Sequence, residues 1–378
     1  MLPTRHISRL RLSHFRNYAH AALDLDGRHL VLVGPNGAGK TNLLEAISLL
    51  SPGRGLRGAS FDEVAAQGSD GNWAVAATVE TAEGPADIGT GAGAEGSGRR
   101  VRINGANART VEEMSAYLRV LWLTPAMDGL FTGPAGDRRR FLDRLVTTLI
   151  PGHAAAVADY DKAMRQRNRL LEENADGGWI EAVEASLAAA AAAMHFARAD
   201  SLGDLEASLA DGVDSAHFPA AQLSLTPLLG DEDVPASSAG LEGALRDLWR
   251  AGRARDRAAG RTLVGPHRVD LEVRHLQKDM PAALGSTGEQ KALLIGLVLA
   301  HARLVARTTG IVPFLLLDEI AAHLDPARRA ALFRSLDDLG AQCFMTGTDP
   351  ILFEALGDRA QQVLVEDGRL SRRLEKPR

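Results

Sequence analysis

Lysine, cysteine and aromatic residues are scarce in this chain, and no apolar run approaches the length needed to cross a bilayer. The single cysteine among 378 residues, Cys343, excludes an internal disulfide and points to a reducing compartment. The most apolar stretch, residues 182–196, is broken by Glu184 and His195, short of the ~18 apolar residues a span requires. Near the N-terminus, Arg5 and Arg9 lead into Leu10-Arg11-Leu12 rather than into a signal-type apolar core. These absences predict a cytoplasmic protein without a membrane partner. Aromatics make up 4% of the chain, so no base-stacking platform is legible, Phe131 and Phe141 beside a basic run being too few. Positive charge is not in excess either. The net charge is −5, so any nucleic-acid contact must use a local basic patch. What is present is ordinary for a globular protein, with 45% apolar and 24% charged residues. The length suffices for two domains or lobes.

Against that background one segment stands out. Gly34-Pro35-Asn36-Gly37-Ala38-Gly39-Lys40-Thr41 follows the apolar run Leu30-Val31-Leu32-Val33. This is a complete phosphate-binding loop. Its glycines let backbone N–H groups turn onto phosphate oxygens. Lys40 can reach the β- and γ-phosphates of ATP, and the Thr41 hydroxyl can ligate Mg²⁺. Leu43, Leu44, Ile47 and Leu50 then recur at helical spacing, so the loop opens onto a helix N-terminus, which favours anions.

Alternation predicts strands over residues 7–12, 21–26 and 73–79. Residues 82–98, rich in Gly and Ala, read as a hairpin tip or loop. A strand at 101–104 would be closed by Asn104-Gly105. From 111 to 260 helical periodicity dominates, with the clearest helices at 141–150, 154–174 and 180–209. Strands return at 261–264 and 271–273. A helix from 289 to 307 precedes strands at 311–317 and 343–346. The chain therefore reads as an α/β nucleotide-binding head, residues 1–110 and 261–378, with a mainly helical lobe or short arm, 111–260, inserted in it.

Phe314-Leu315-Leu316-Leu317-Asp318-Glu319 is an apolar strand ending in two carboxylates. Beside a phosphate-binding loop, Asp318 would hold Mg²⁺ and Glu319 would orient or deprotonate the attacking water. Thirty-two residues before Asp318 stands Ser286-Thr287-Gly288-Glu289 at a helix start, a second anion-binding surface. A protein with its own phosphate loop needs no second one for the same nucleotide. The simplest arrangement is a two-fold dimer in which Ser286 and Gly288 of each copy cap the ATP of the other. Asp325, before Pro326, is both an N-cap and a candidate for that contact.

These motifs, in this order, resemble the ATP-binding-cassette ATPase class. Within it the chain is similar to the bacterial RecF family. The resemblance is carried by Phe15-Arg16-Asn17-Tyr18, Lys40-Thr41-Asn42-Leu43-Leu44-Glu45-Ala46, Arg138-Arg139-Arg140-Phe141-Leu142-Asp143, Gly265-Pro266-His267-Arg268, Ser286-Thr287-Gly288-Glu289-Gln290-Lys291 and Thr346-Gly347-Thr348-Asp349. It implies an ABC-type ATPase head with an inserted helical lobe, binding ATP and Mg²⁺. It also implies a slow, DNA-stimulated ATPase whose ATP-bound homodimer binds single-stranded, gapped or duplex DNA. Such proteins act in recombinational repair and replication-fork maintenance, with recombination-mediator partner proteins that help load the recombinase. Val269 departs from the Asp usual after Gly-Pro-His-Arg, and Gly285 from the Leu-like residue before the signature Ser. Thr348 stands where transporter ATPases carry a γ-phosphate-sensing His, matching RecF.

Spacing supports the same choice. Lys40 and Asp318 lie 278 residues apart, about twice what a transporter ATPase needs. A ~100-residue antiparallel helix pair reaches at most ~75 Å, a stubby arm rather than an SMC coiled coil. Other readings are a transporter-type ATPase subunit and a non-catalytic nucleotide-gated adaptor. Of two basic runs, Arg138, Arg139, Arg140, Arg144 could meet DNA phosphates but read, in a chain of net charge −5, rather as structural, organising the lobe interface; Arg253, Arg255, Arg257, Arg261 read equally as a solvated or as a DNA-facing surface. Arg16 reads as a nucleotide contact or as packing. His267 has no metal-ligand cluster around it in sequence.

Overall fold

The computed structural model describes residues 5–66, 68–93, 98–210 and 216–372. Two compact units divide the chain. Unit 1 comprises Met1–Asp128, Asp211–Ala220 and Ser286–Arg378; unit 2 comprises Gly129–Ala210 and Ala221–Gly285.

Unit 1 begins with β1 (His6–Phe15), β2 (Tyr18–Asp24), β3 (His29–Val33), α1 (Lys40–Ser48), the single turn α2 (Phe61–Val64), β4 (Trp73–Thr81), β5 (Gly84–Ala92), β6 (Arg100–Ile103), β7 (Ala106–Asn107) and β8 (Val120–Leu123). Unit 2 holds α3 (Ala135–Leu149), α4 (His153–Glu172), α5 (Gly177–Ala210), β9 (Ala221–Leu225), α6 (Ser238–Ala259), β10 (Leu271–His275) and β11 (Met280–Pro281). The chain then completes unit 1 with α7 (Thr287–Thr309), β12 (Phe314–Leu317), α8 (Pro326–Leu339), β13 (Cys343–Gly347), β14 (Ala360–Glu366) and β15 (Arg369–Arg372).

Two six-stranded sheets build unit 1. One is antiparallel, in the order β2-β1-β4-β5-β6-β7. The other, β15-β14-β3-β13-β12-β8, is parallel except for β15. Alternation decides how the first sheet lies. Leu10, Leu12, Val75, Ala77 and Ile88 turn inward and share one core with Leu43, Leu44 and Ile47 of α1 and with Leu30, Leu32 and Phe344 of the parallel sheet. The parallel strands β3, β12 and β13 are buried at every residue, which is why they read as continuous apolar runs. Unit 2 is a helical cluster with a three-stranded sheet, β11-β10-β9. Its core joins Tyr160, Leu187, Ala191, Leu241, Trp249 and Val269.

Several expectations are corrected. Residues 84–92 form a strand rather than a loop, because Ala86, Ile88 and Thr90 alternate inward between exposed or half-exposed neighbours; residues 94–97 of the expected tip lie outside the described residues. Residues 261–264 are not a strand. The Thr262 N–H and hydroxyl are both tied to Asn168 Oδ1, at 2.9 and 2.7 Å, and a glycine turn follows at Gly265. The strand expected over 311–317 starts at Phe314, after Pro313, whose nitrogen has no proton to give a ladder. The boundaries of the inserted lobe move as well. Residues 111–128 belong to unit 1 because β8 pairs with β12, and 261–285 belong to unit 2 because β10 pairs with β9. Two helices, Gly177–Ala210 and Thr287–Thr309, do have the length and composition of a membrane span; half of the apolar window of the first and 72% of that of the second are buried within the protein.

Candidate nucleotide site

The loop at residues 34–41 joins β3 to α1 in unit 1, and its shape follows from what surrounds it. Gly39 has φ 112°, a conformation suited to glycine, and a Cβ there would lie 2.5 Å from Asn17 Nδ2. A Cβ on Gly34 would overlap the Val365 carbonyl oxygen. The β1–β2 hairpin clasps the loop from outside. Asn17 Nδ2 donates to the Ala38 carbonyl at 3.1 Å and Tyr18 Oη to the Gly39 carbonyl at 3.0 Å. Gly368 N–H also donates to the Ala38 carbonyl, at 3.1 Å. Here lies the physical content of the Phe15-Arg16-Asn17-Tyr18 stretch. Arg16 makes a bidentate ion pair with Glu45, at 2.9 and 2.6 Å. Glu45, buried on α1, also takes Arg57 at 2.5 Å.

Within the loop, Lys40 is 4% exposed, and its Nζ donates to the Gly34 and Pro35 carbonyls at 2.7 and 2.9 Å. Burial holds its ammonium below the ordinary lysine range, against the opposing pull of Glu319 and Asp318. Thr41 Oγ1 donates to Asp318 at 2.9 Å to Oδ1 and 3.1 Å to Oδ2. Asp318, 5% exposed, sits at the end of β12. Thr346, on the neighbouring β13, donates its hydroxyl to Asp318 Oδ1 at 2.7 Å and accepts the Glu319 N–H at 2.9 Å. Glu319 has φ 52°, left-handed for a residue with a side chain, and heads the 3₁₀ turn Ile320–His323. Lys40, Thr41, Asp318 and Glu319, far apart in sequence, are thus gathered in one place. Sequence reasoning had not given Thr346 a role at the site; its signal was the Thr-Gly-Thr-Asp stretch one strand beyond the carboxylates.

Gly288 and Asp325 meet at Arg328 in unit 1, with Ser286 two residues before Gly288. Ser286 caps α7 with a reciprocal box: its Oγ accepts the Glu289 N–H at 3.4 Å, while its own N–H donates to Glu289 Oε2 at 2.8 Å. Gly288 O accepts from Arg328 Nη1 at 3.2 Å, and Asp325 Oδ1 accepts the Arg328 N–H at 2.9 Å. That last bond and its neighbours hold the Asp325 carboxyl below the usual range. Gly288 is exposed, and Ser286 and Thr287 reach the surface beside it.

The basic runs are mostly engaged inside unit 2. Arg138 makes a bidentate pair with Asp270, at 2.9 and 2.6 Å, and donates to the Gly133 carbonyl at 2.6 Å. Arg139 reaches the Val269 carbonyl at 3.4 Å, and Arg144 lies 5.2 Å over the Phe141 ring. Arg253 pairs with Glu184, and Arg257 donates to the Leu171 carbonyl at 2.8 Å. Arg140 is exposed, with Asp137 as its partner. Val269, the departure after Gly-Pro-His-Arg, packs into the unit 2 core, while the Asp that follows takes the pair with Arg138. His267 serves structure: Nε2–H donates to the Thr262 carbonyl at 3.0 Å, leaving Nδ1 to accept from Tyr160 Oη at 2.6 Å. Burial lowers its pKa, in keeping with the neutral ring. No cluster of metal-ligating His, Cys, Asp or Glu occurs among the described residues.

The model of the RecF/RecN/SMC N-terminal domain matches residues 6–371. Curated relatives agree across nearly their whole length. The DNA replication and repair protein RecF of Rhizobium meliloti (strain 1021) is 57% identical over 369 residues, 97% of this chain and 98% of the relative. The RecF protein of Mesorhizobium japonicum is 56% identical over 366 residues, 96% of this chain and 97% of the relative. A solved structure of the recombination mediator protein RecF–ATPrS in the RecFOR pathway superposes with a TM-score of 0.84 at 22% identity, covering 98% of both chains. The SMC head of Pyrococcus furiosus, at a TM-score of 0.52, 16% identity and 97% and 95% of the two chains, shares the fold more distantly. With its loop, its paired carboxylates and its family stretches all in register, the chain belongs to the RecF family of ABC/SMC-type ATPases.

Proposed function

We propose that this protein is an ATP-driven DNA-binding switch of recombinational repair and replication-fork maintenance, cytoplasmic in location. The observation that carries the reading is the Thr41–Asp318–Thr346–Glu319 hydrogen-bond chain beside the buried Lys40. Gly34, Pro35, Asn36, Gly37, Ala38 and Gly39 offer backbone to the phosphates, and Lys40 exchanges its carbonyl partners for phosphate oxygens. Two adjacent hard oxygen donors, Thr41 Oγ1 and the Asp318 carboxylate, suit Mg²⁺ in donor chemistry. Bound there, Mg²⁺ supplies neutralisation of the phosphoryl charge.

Glu319 acts as the base that orients or deprotonates the attacking water. A left-handed residue with a side chain costs of the order of 1–2 kcal/mol, so the Thr346 bond to its N–H serves to hold it there. Asp318 keeps two hydroxyl donors, which fix its rotamer while leaving oxygens for the ion. Ser286, Gly288 and Asp325 act in trans on the nucleotide of a second copy, making ATP the link of a homodimer. What supports this is the surface position of the start of the 23-residue helix α7. The dimer binds gapped or single-strand-containing DNA, works with recombination-mediator partners to help load recombinase, and is reset by slow, DNA-stimulated hydrolysis. A transporter role finds no support beside the family relatives.

The Glu319→Gln variant should bind Mg-ATP, lose hydrolysis by ~10²–10⁴-fold, and accumulate as dimer in sedimentation. A monomer at saturating Mg-ATP would contradict the shared site. Gapped-DNA binding that appears with ATP and weakens with salt is expected alongside.

A further inference from the structure

Of the arginine runs most visible in the sequence, Arg138, Arg140 and Arg253 are held in ion pairs within unit 2. A separate group of cations lies on the outer face of the antiparallel sheet of unit 1. Strand register places one row across it as Ala22–Arg11–Ala76–Gly89–Arg102–Asn107. A second row runs His20–Ser13–Ala74–Gly91–Arg100. The opposite faces of these strands are the core, so these side chains look outward.

Two features set this face apart. Its middle is a floor of small residues, Ala74, Ala76, Gly89 and Gly91, with arginines standing on both sides. Arg11 on β1 and Arg102 on β6 are three strand spacings apart, roughly 14 Å. Gly91 has a packing reason to be glycine, since a Cβ would overlap the Trp73 carbonyl oxygen, but Gly89 has none: its Cβ would meet nothing closer than 3.8 Å. The second feature is that Arg11 and Arg100 have no side-chain ion pair or hydrogen bond among the described residues, and Arg102 has only Asn107 Oδ1, at 3.2 Å. The acids of the face are hydrogen-bonded, Asp24 by Arg9 at 3.0 Å, Asp87 by the Thr78 hydroxyl at 2.7 Å and Glu80 by the Ser8 hydroxyl at 2.7 Å.

We propose that this outer sheet face is a contact surface for the sugar-phosphate backbone of DNA, with Arg11, Arg100 and Arg102 on phosphates and the Ala/Gly floor allowing close approach. It rests on the DNA-binding reading above and assigns it a place. Backbone contact without base readout suits a floor with no aromatic or amide side chains.

The test is binding of gapped DNA by the full-length protein with Mg-ATP, over a salt series, for wild type and for the Arg11→Gln/Arg102→Gln variant. The variant should bind at least tenfold more weakly near 0.1 M salt, and the slope of log K against log[salt] should shrink by about 2, close to 0.9 for each phosphate left without its arginine. ATP hydrolysis without DNA should be unchanged, which shows that the variant is folded. Arg140→Gln, removing an exposed arginine of unit 2, should leave both affinity and slope alone. Coincident salt lines for wild type and the double variant would overturn the assignment and turn attention to an acidic protein partner for this face. Failure of wild type to bind DNA at any salt would overturn the underlying reading and this one with it, a separate outcome from the first.

Discussion

In unit 2, Arg167 is wholly buried and meets Glu184 at 3.0 Å, Asp256 at 2.8 Å, the Thr262 hydroxyl at 2.8 Å and the Trp249 carbonyl at 3.1 Å. In unit 1, Lys40 is nearly as withdrawn from water, yet its hydrogen bonds go to two carbonyls, and the buried Asp318 is held by two hydroxyls. The two arrangements satisfy the same demand, that a buried charge be hydrogen-bonded. They differ in what a ligand would have to displace. Removing a counter-charge from Arg167 would cost several kcal/mol, whereas a carbonyl or hydroxyl can be exchanged for phosphate or a hydrated cation at modest net cost. Matched charge makes a fixed element; charge on neutral partners makes a site.

The sharpest way to break this comparison is at Arg167. Arg167→Leu strips the buried Asp256 of its cation and leaves Glu184 to Arg253 alone, and should lower unfolding free energy by about 3–5 kcal/mol in a denaturant titration. Should the variant unfold at the wild-type midpoint, the network is not the fixed element described here. Thr346 sharpens the other side. Thr346→Val keeps the shape but removes the hydroxyl that joins Asp318 to the Glu319 N–H. A roughly tenfold fall in kcat, about 1.4 kcal/mol, is expected with Mg-ATP affinity within a factor of ~2, and Thr346→Ser should restore the rate. Equal losses of rate and affinity would instead mark Thr346 as part of the binding surface.

The smallest effect concerns pH. His29 and His267 both have pKa values lowered first by burial. Above the unfolded-state value, about 6.5, they are neutral in both states. Below it the unfolded chain binds protons that the folded one resists, so stability falls as pH drops, by about 1.4 kcal/mol per unit of depression. Thermal melts should decline from pH 7 to 5, and His267→Gln should flatten part of that decline. A slope of opposite sign would mean that these rings are charged in the fold.

The candidate site was more legible than the fold around it. The loop at 34–41 is contiguous, and its glycines answer to local geometry, so its form could be read directly. Asp318 and Glu319 were legible because a buried parallel strand is apolar throughout and its end is abrupt. β8 was not, since four apolar residues beside helical segments become a strand only through pairing with β12, almost 200 residues away. β5 was masked by its glycines, which occupy the outer face while a sparse inner pattern of Ala86, Ile88 and Thr90 carries the strand. The partners of the arginine runs were not legible either. Charge is visible in sequence, but Asp270 and Glu184, which neutralise Arg138 and Arg253, lie 132 and 69 residues away.

One paired measurement tests the central claim most directly: Mg-ATP affinity by calorimetry together with denaturant unfolding, for Lys40→Met beside wild type. A site built from charge on exchangeable neutral partners predicts at least a 100-fold loss of affinity with unfolding free energy unchanged to within about 0.5 kcal/mol. Wild-type affinity, or destabilisation on the scale expected for Arg167→Leu, would contradict it.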